Sequence, residues 1–100
     1  MVNAAWSALT YVSAPRWHLD VVSLGLVYDV RAEAGRVVVE MSRAARGRVG
    51  DASLIKTAQI VVADALSGAE PVEVRLVRDP PWSPAMIDPI AAADAGLPTG

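Results

Sequence analysis

Three arginines near the middle of the chain are its most distinctive chemical group. Arg43, Arg46 and Arg48 fall within six residues, and a stretch with helical spacing follows them. Guanidinium groups and helix N-termini both favour anions, so this loop suits a phosphate, a carboxylate ligand or an acidic patch on a partner protein. A solvated charged loop is the alternative interpretation, and the residues leave it open.

A proline-rich segment with one tryptophan is the second candidate. Residues 79–84 read Asp-Pro-Pro-Trp-Ser-Pro, and the prolines restrict the backbone around Trp82. In one interpretation the indole is a lid that covers the edge of a sheet. In the other it anchors a protein interface, where tryptophan is enriched among the residues that dominate binding.

Most other chemistry finds little support in the sequence. His18 is the one histidine and there is no cysteine, so a triad or a histidine metal site must pass through one residue, and thiolate ligands are absent. No glycine-rich nucleotide loop occurs. The carboxylates of Asp20, Asp29 and Asp79 are scattered and are interpreted as surface acids. We therefore expect a chain that is not an enzyme and that binds no cofactor or metal of its own.

Length and composition indicate one domain with a core of small side chains. The chain has 100 residues, a net charge of −2 and 53% hydrophobic residues, which suits a single core. The near balance of charge gives no reason to expect binding to nucleic acid or to a membrane. Residues 1–15 lack the basic start of a signal peptide, so a cytoplasmic location is expected.

The spacing of apolar residues predicts the elements that would position these side chains. A first helix is predicted to end near Ser13, followed by two strands at residues 24–32 and 36–42. A helix from about residue 54, a strand after Pro71 and a short C-terminal helix complete the order. The prediction is a small single-domain α/β (α+β) two-layer sandwich over residues 1–100, with its core at 4–90, a proline and tryptophan lid, and a loose tail at 91–100.

Two motifs at opposite ends of this plan give a resemblance to a known family. Residues 23–30 read Ser-Leu-Gly-Leu-Val-Tyr-Asp-Val, and residues 79–87 read Asp-Pro-Pro-Trp-Ser-Pro-Ala-Met-Ile. With Val-Glu-Met-Ser at residues 39–42 and the elements between, the chain resembles the small metal–sulfur cluster assembly family that includes SufT and the PaaD phenylacetate-pathway protein. The resemblance implies assembly or delivery of iron–sulfur or related metal centres to client enzymes.

The residues that carry metal chemistry in that family differ here. Its usual Asp-Pro-Glu turn reads Ala-Pro-Arg at residues 14–16, and Ser23 replaces its aspartate. Its cysteine falls on Arg48, and its nearby threonines become Ser42 and Ala44. Arginine does not ligate metal ions, and its charge repels them. The chain therefore resembles a degenerate member of the family, without its usual Asp, Glu and Cys residues.

The resemblance and the arginines together predict a function based on protein binding. We expect a non-catalytic accessory or assembly partner of a metalloenzyme, such as an iron-dependent oxygenase. The candidate contact residues are Arg16, Arg43, Arg46, Arg48 and Trp82. The alternative is a carrier or maturation factor for an iron–sulfur or other metal centre, with ligands from a partner or from His18 with Asp20. An enzymatic role, with His18 as base, has the least support. Exposed strand edges also make a homo-oligomer an expectation.

Overall fold

A three-stranded sheet, flanked on one face by two helices, organises the chain. The structure is a computed structural model that describes residues 2–14, 17–46 and 52–94. Its elements are α1 (Val2–Leu9), β1 (Ser13–Ala14), β2 (Leu19–Asp20), β3 (Val27–Glu33), β4 (Arg36–Ser42), α2 (Ala52–Ala65), β5 (Val72–Val77) and α3 (Pro89–Asp94). Short 3-10 helices follow β4 at Arg43–Arg46 and precede α3 at Pro84–Met86. This is the predicted α+β class.

The sheet has the strand order β3-β4-β5 and mixes two kinds of pairing. β3 and β4 form an antiparallel hairpin, whereas β4 and β5 are parallel. Parallel neighbours need a crossover connection, and α2 supplies it. The β4–β5 register runs from Val37 opposite Val72 to Ser42 opposite Val77. The C-terminal ends of the two strands therefore lie side by side.

The core lies between the sheet and the two long helices. Val37, Val39 and Met41 alternate along β4 toward the helices and are fully buried. The helices contribute Ala5, Leu9, Ala58 and Val62 to the same cluster. Burial of each valine or larger side chain stabilises the fold by about 1.5–3 kcal/mol relative to exposure. The core is built mainly from alanine, valine and leucine side chains.

The opposite face of the sheet carries a network of ion pairs. Arg31 pairs with the carboxylates of Asp29, Glu33 and Glu40 at 3.0, 2.9 and 3.0 Å. Glu73 pairs with Arg36 at 2.7 Å and also with Arg75. Val38 is fully buried although it is not part of the core cluster. Its register partners are Arg31 and Glu73, so the network lies over this valine.

The structure differs from the predicted elements at three places. α1 ends at Leu9 rather than near Ser13, because Thr10 begins a turn in which its N–H and hydroxyl donate to the Ser7 carbonyl. The short antiparallel pair of β1 and β2 was not predicted. Each strand has only two residues, which is too few to show an alternating pattern. β3 begins at Val27, because residues 21–25 form a turn.

The C-terminal region is more ordered than the predicted tail. Residues 91–94 belong to α3, whose start is fixed by the Asp88 carboxylate, which accepts the Ile90 N–H at 3.1 Å. Ala92 packs into the core. The remainder of the predicted tail, 95–100, lies outside the described residues. Within the described ranges, no helix combines the length and the apolar character that crossing a membrane requires.

Candidate functional site

The two sequence motifs at opposite ends of the chain contact each other directly. The Trp82 indole N–H donates to the Leu24 carbonyl at 2.7 Å, and the Tyr28 hydroxyl donates to the Pro80 carbonyl at 2.7 Å. The backbone N–H of Asp88 adds a third bond, to the Ser23 carbonyl, at 2.7 Å. These bonds hold the proline-rich segment against the turn that precedes β3.

Gly25 lets the two segments approach this closely. Its φ is +75°, and a Cβ built at this position would lie 2.4 Å from the Met86 carbonyl oxygen. Such a contact is not tolerated, and the left-handed backbone also disfavours other residues. Glycine is thus needed at position 25 because the backbone of Met86, in the proline-rich motif, packs directly against it.

Trp82 is a buried part of this clamp. Its residue is 6% exposed, and its ring meets Trp17 edge to face with centroids 5.6 Å apart. A buried indole N–H needs a hydrogen-bond acceptor, and Leu24 provides one. The geometry supports the lid interpretation of Trp82. Its role in partner contact stays a prediction. Only the part of Trp82 that lines a neighbouring surface cavity could make such a contact.

That cavity lies where β4 and β5 end side by side. Because Ser42 and Val77 are register partners on parallel strands, the residues that follow them, Arg43 and Arg78, emerge together. The cavity has a volume of about 280 Å³ and is lined by Ser42, Arg43, Ala44, Val77, Arg78, Pro81 and Trp82. We call it the strand-end cavity.

The structure brings together two of the five predicted contact residues. Arg43 and Trp82 both line the strand-end cavity, whereas Arg46 is exposed in the same 3-10 helix as Arg43 but does not line it. Arg16 and Arg48 lie outside the described residues. Arg78 also lines the cavity and was not predicted, since it lies far in sequence from the arginine cluster at residues 43–48. Only the parallel pairing of β4 with β5 could have indicated it.

The arginines within the strands form ion pairs, whereas those that follow the strand ends form none with a described residue. The Arg31 guanidinium donates hydrogen bonds to the carboxylates of Asp29, then Glu33 and Glu40, and these bonds raise its pKa. Hydrogen bonds from Arg75 and then Arg36 lower the pKa of the Glu73 carboxyl. The guanidinium groups of Arg43, Arg46 and Arg78 form no ion pair with any residue of the described ranges. The strand-end cavity therefore presents positive charge that no described residue pairs with.

The region around His18 and Asp20 was the alternative source of metal ligands. The Asp20 carboxylate accepts the N–H groups of Val22 and Ser23 at 3.1 and 3.0 Å and the Ser23 hydroxyl at 2.7 Å. His18 lines a second cavity with Asp20 and Asp94. Across residues 2–14, 17–46 and 52–94, no three His, Cys, Asp or Glu side chains are grouped as a metal site would need.

These donors do not fit a resident iron–sulfur centre. Such clusters are held mainly by cysteine thiolates, of which the sequence has none. The Asp20 carboxylate already accepts hydrogen bonds from the backbone N–H groups of Val22 and Ser23. The charged groups that line the strand-end cavity are guanidinium groups, which have no free lone pair for a metal. An iron–sulfur cluster handled by this chain would be cargo with ligands from elsewhere.

Comparison with known proteins places these features in a family. The model of a family described as iron–sulfur cluster assembly protein matches residues 3–76. A domain of unknown function, DUF59, from Bacillus anthracis superposes with a TM-score of 0.83 at 28% identity, covering 97% of this chain and 92% of that one. A conserved hypothetical protein from Thermotoga maritima superposes with a TM-score of 0.76 at 31% identity, covering 97% and 95%.

The search of curated proteins returned no match. The family model extends over the first sequence motif and most of the sheet, and the two solved structures each align with 97% of the chain. The family model alone covers well over half of the chain. The chain therefore belongs to the iron–sulfur cluster assembly protein family.

Proposed function

We propose that this chain is a non-catalytic cytoplasmic accessory protein that binds a metalloenzyme or a subunit of one. The observation that carries the proposal is the positive charge of Arg43 and Arg78 at the ends of β4 and β5, for which no described carboxylate is an ion-pair partner. Unpaired guanidinium groups beside an apolar wall suit contact with an acidic protein surface. An iron-dependent oxygenase is the client class that the resemblance to PaaD-like proteins favours.

Membership of the family suggests a role connected with metal centres. The residues that differ from the family pattern suggest that this chain does not bind the metal itself. Where the resemblance places the cysteine of the family, this sequence has Arg48, and where it places an aspartate, the sequence has Ser23. The Ser23 hydroxyl donates to Asp20 and completes a local turn. The chain keeps the scaffold of the family while its side chains favour a protein contact, which supports an accessory role.

A carrier of an iron–sulfur or other metal centre is the second candidate function. It is favoured by family membership itself and by the cavity that His18 shares with Asp20 and Asp94. In this case the partner would supply the remaining ligands, because no cysteine is available in these 100 residues. The two candidates differ in where iron resides once the chain and its partner are separated.

Purification of the tagged chain from its native organism tests the proposal. At low salt we expect it to co-elute on a sizing column with one larger protein in a constant ratio, which mass spectrometry would identify. Raising the salt concentration screens exposed charges and should weaken the contact. Elution of the chain alone at low salt would show that the accessory role is wrong, and a complex indifferent to salt would contradict an arginine contact.

A further inference from the structure

Parallel pairing places two arginines from distant parts of the sequence beside each other. Ser42 and Val77 are opposite each other, and adjacent strands lie about 4.8 Å apart, so Arg43 and Arg78 leave the sheet as neighbours. Both are exposed, and both line the strand-end cavity. Two guanidinium groups in the lining of one cavity favour an anion there over a cation.

No acidic side chain of the described ranges neutralises this pair. The carboxylates of the sheet are engaged with Arg31, Arg36 and Arg75 on the ion-paired face. Asp79 follows Arg78 in sequence, yet it forms no ion pair with any described residue. Among the described residues, no carboxylate therefore competes with a ligand for the positive charge at the strand ends.

Ser42 adds a hydroxyl donor at the same cavity. It is 3% exposed, and its N–H donates to the Leu26 carbonyl at 2.8 Å. Its Oγ accepts the Ala44 N–H at 3.1 Å, which leaves the hydroxyl proton without an acceptor among the residues described. The other walls are apolar, formed by Val77, Pro81 and Trp82. Donors thus line one side of the cavity and apolar groups the other.

We propose that the strand-end cavity binds a carboxylate-bearing segment of the partner protein, an inference that rests on the proposed function and names the chemistry of its contact. A glutamate or aspartate side chain accepts bonds from Arg43, Arg78 and Ser42, and a neighbouring aliphatic residue covers the apolar wall. Arginine forks match the two oxygens of a carboxylate. Inorganic phosphate would satisfy the arginines but would leave the apolar wall uncovered.

Titration of the full chain with a defined peptide tests this inference. The probe is acetylated Leu-Glu-Glu-Leu amide, and its matched control has glutamine in place of both glutamates. We expect the acidic peptide to shift the amide NMR signals of residues 42–44 and 77–78, with weaker binding at high salt, and the glutamine peptide to give no shifts. Shifts confined to other residues, or equal binding of inorganic phosphate, would overturn the assignment.

Single substitutions distinguish binding of the peptide in this cavity from a general attraction of the acidic peptide to positive charge on the protein. Arg43→Gln and Arg78→Gln should each weaken peptide binding about tenfold, because each removes a charge-assisted hydrogen bond. Lys56→Gln removes the same charge from the exposed face of α2 and should leave binding unchanged. An equal loss with Lys56→Gln would show that the peptide responds to net charge and would overturn the proposal.

The native complex distinguishes failure of this inference from failure of the proposed function. We expect the Arg43→Gln, Arg78→Gln double variant to lose the partner that co-purifies with the unaltered chain. If the double variant retains that partner fully, the cavity is not the contact, although the accessory role stands. If the unaltered chain retains no partner, the accessory role is wrong, and the peptide titration still decides whether the cavity binds carboxylates.

Discussion

At the scale of single residues, a few side chains join the two ends of the sequence. Gly25 admits the Met86 carbonyl, Tyr28 holds Pro80, and Trp82 holds Leu24. Each contact links positions more than fifty residues apart. These residues belong to the motifs that carry the family resemblance, so the motifs preserve a contact that shapes the fold.

Replacement of Gly25 by alanine should destabilise the fold strongly. Alanine at a positive φ costs about 1–2 kcal/mol, and the contact with the Met86 carbonyl adds roughly 1–3 kcal/mol. Gly35→Ala is the matched control, because its φ is +79° but no atom lies within 4 Å of the added Cβ. Denaturant unfolding measures both. Equal losses in the two variants would contradict the close contact at Gly25.

Replacement of Trp82 by phenylalanine tests the buried hydrogen bond to Leu24. We expect a loss of about 1–3 kcal/mol, because the Leu24 carbonyl would remain buried without a donor. Tyr28→Phe removes the bond to the Pro80 carbonyl, which is exposed, so water can replace the hydroxyl and the loss should stay below about 1 kcal/mol. Thermal unfolding compares the two, and a larger loss for Tyr28→Phe would contradict this ranking.

At the scale of elements, the sheet has two faces with different chemistry. The helix-facing side is packed with aliphatic groups, and the other side is held by the ion pairs of Arg31 and Glu73. Exposed ion pairs individually contribute little to stability. A network that covers Val38 gains from excluding water from that side chain as well.

The Glu73 carboxyl makes part of this stability depend on pH. Its pKa is lowered below the ordinary value of 4.5 by Arg75 and then Arg36, so its contribution is present above pH 4.5 and is lost as pH falls through the lowered pKa. Glu73→Gln should reduce Tm at neutral pH by a few degrees at most, and its difference from the unaltered chain should narrow in acid.

Glu70→Gln is the control for this pH dependence. Glu70 precedes β5 and forms no ion pair with the described residues, so its replacement should leave the acid part of the Tm curve unchanged. Calorimetry over a pH series measures all three proteins. A constant difference between Glu73→Gln and the unaltered chain down to strong acid would contradict the assigned linkage.

Periodicity predicted the elements with long apolar patterns and missed those without one. Alternation gave β4 over residues 36–42, and helical spacing gave the body of α2. The ladder of β1 with β2 is two residues long, so it carries no period to detect. The predicted strand at residues 24–32 included the end of the turn at residues 21–25, because apolar side chains there concealed the capping role of Asp20.

The candidate site was predicted in part for a similar reason. Arg43 was identified because arginines cluster near it in sequence, and Trp82 because prolines surround it. Arg78 reaches the same cavity through strand pairing, which composition does not reveal. Trp82 is buried, as the lid interpretation expected, but the carbonyl that accepts its N–H belongs to a residue 58 positions away and has no local signal.

At the scale of the whole molecule, charge is distributed unevenly over a nearly neutral chain. The net charge is −2, and the exposed face of the sheet pairs its charges internally, while the arginines at the strand ends form no ion pair with a described residue. This charge distribution and the absence of cysteine, on a scaffold of the iron–sulfur cluster assembly family, are the basis of the proposal that the chain binds a metalloenzyme and does not itself hold the metal.

The location of iron in the native complex tests the accessory role most directly. The tagged chain is purified anaerobically with its partner at low salt, the two are separated at high salt, and iron is quantified in each fraction. We predict that all iron remains with the partner and that this chain holds none in stoichiometric amount. One iron per chain in the separated fraction of this protein would contradict the accessory role and support a metal carrier instead.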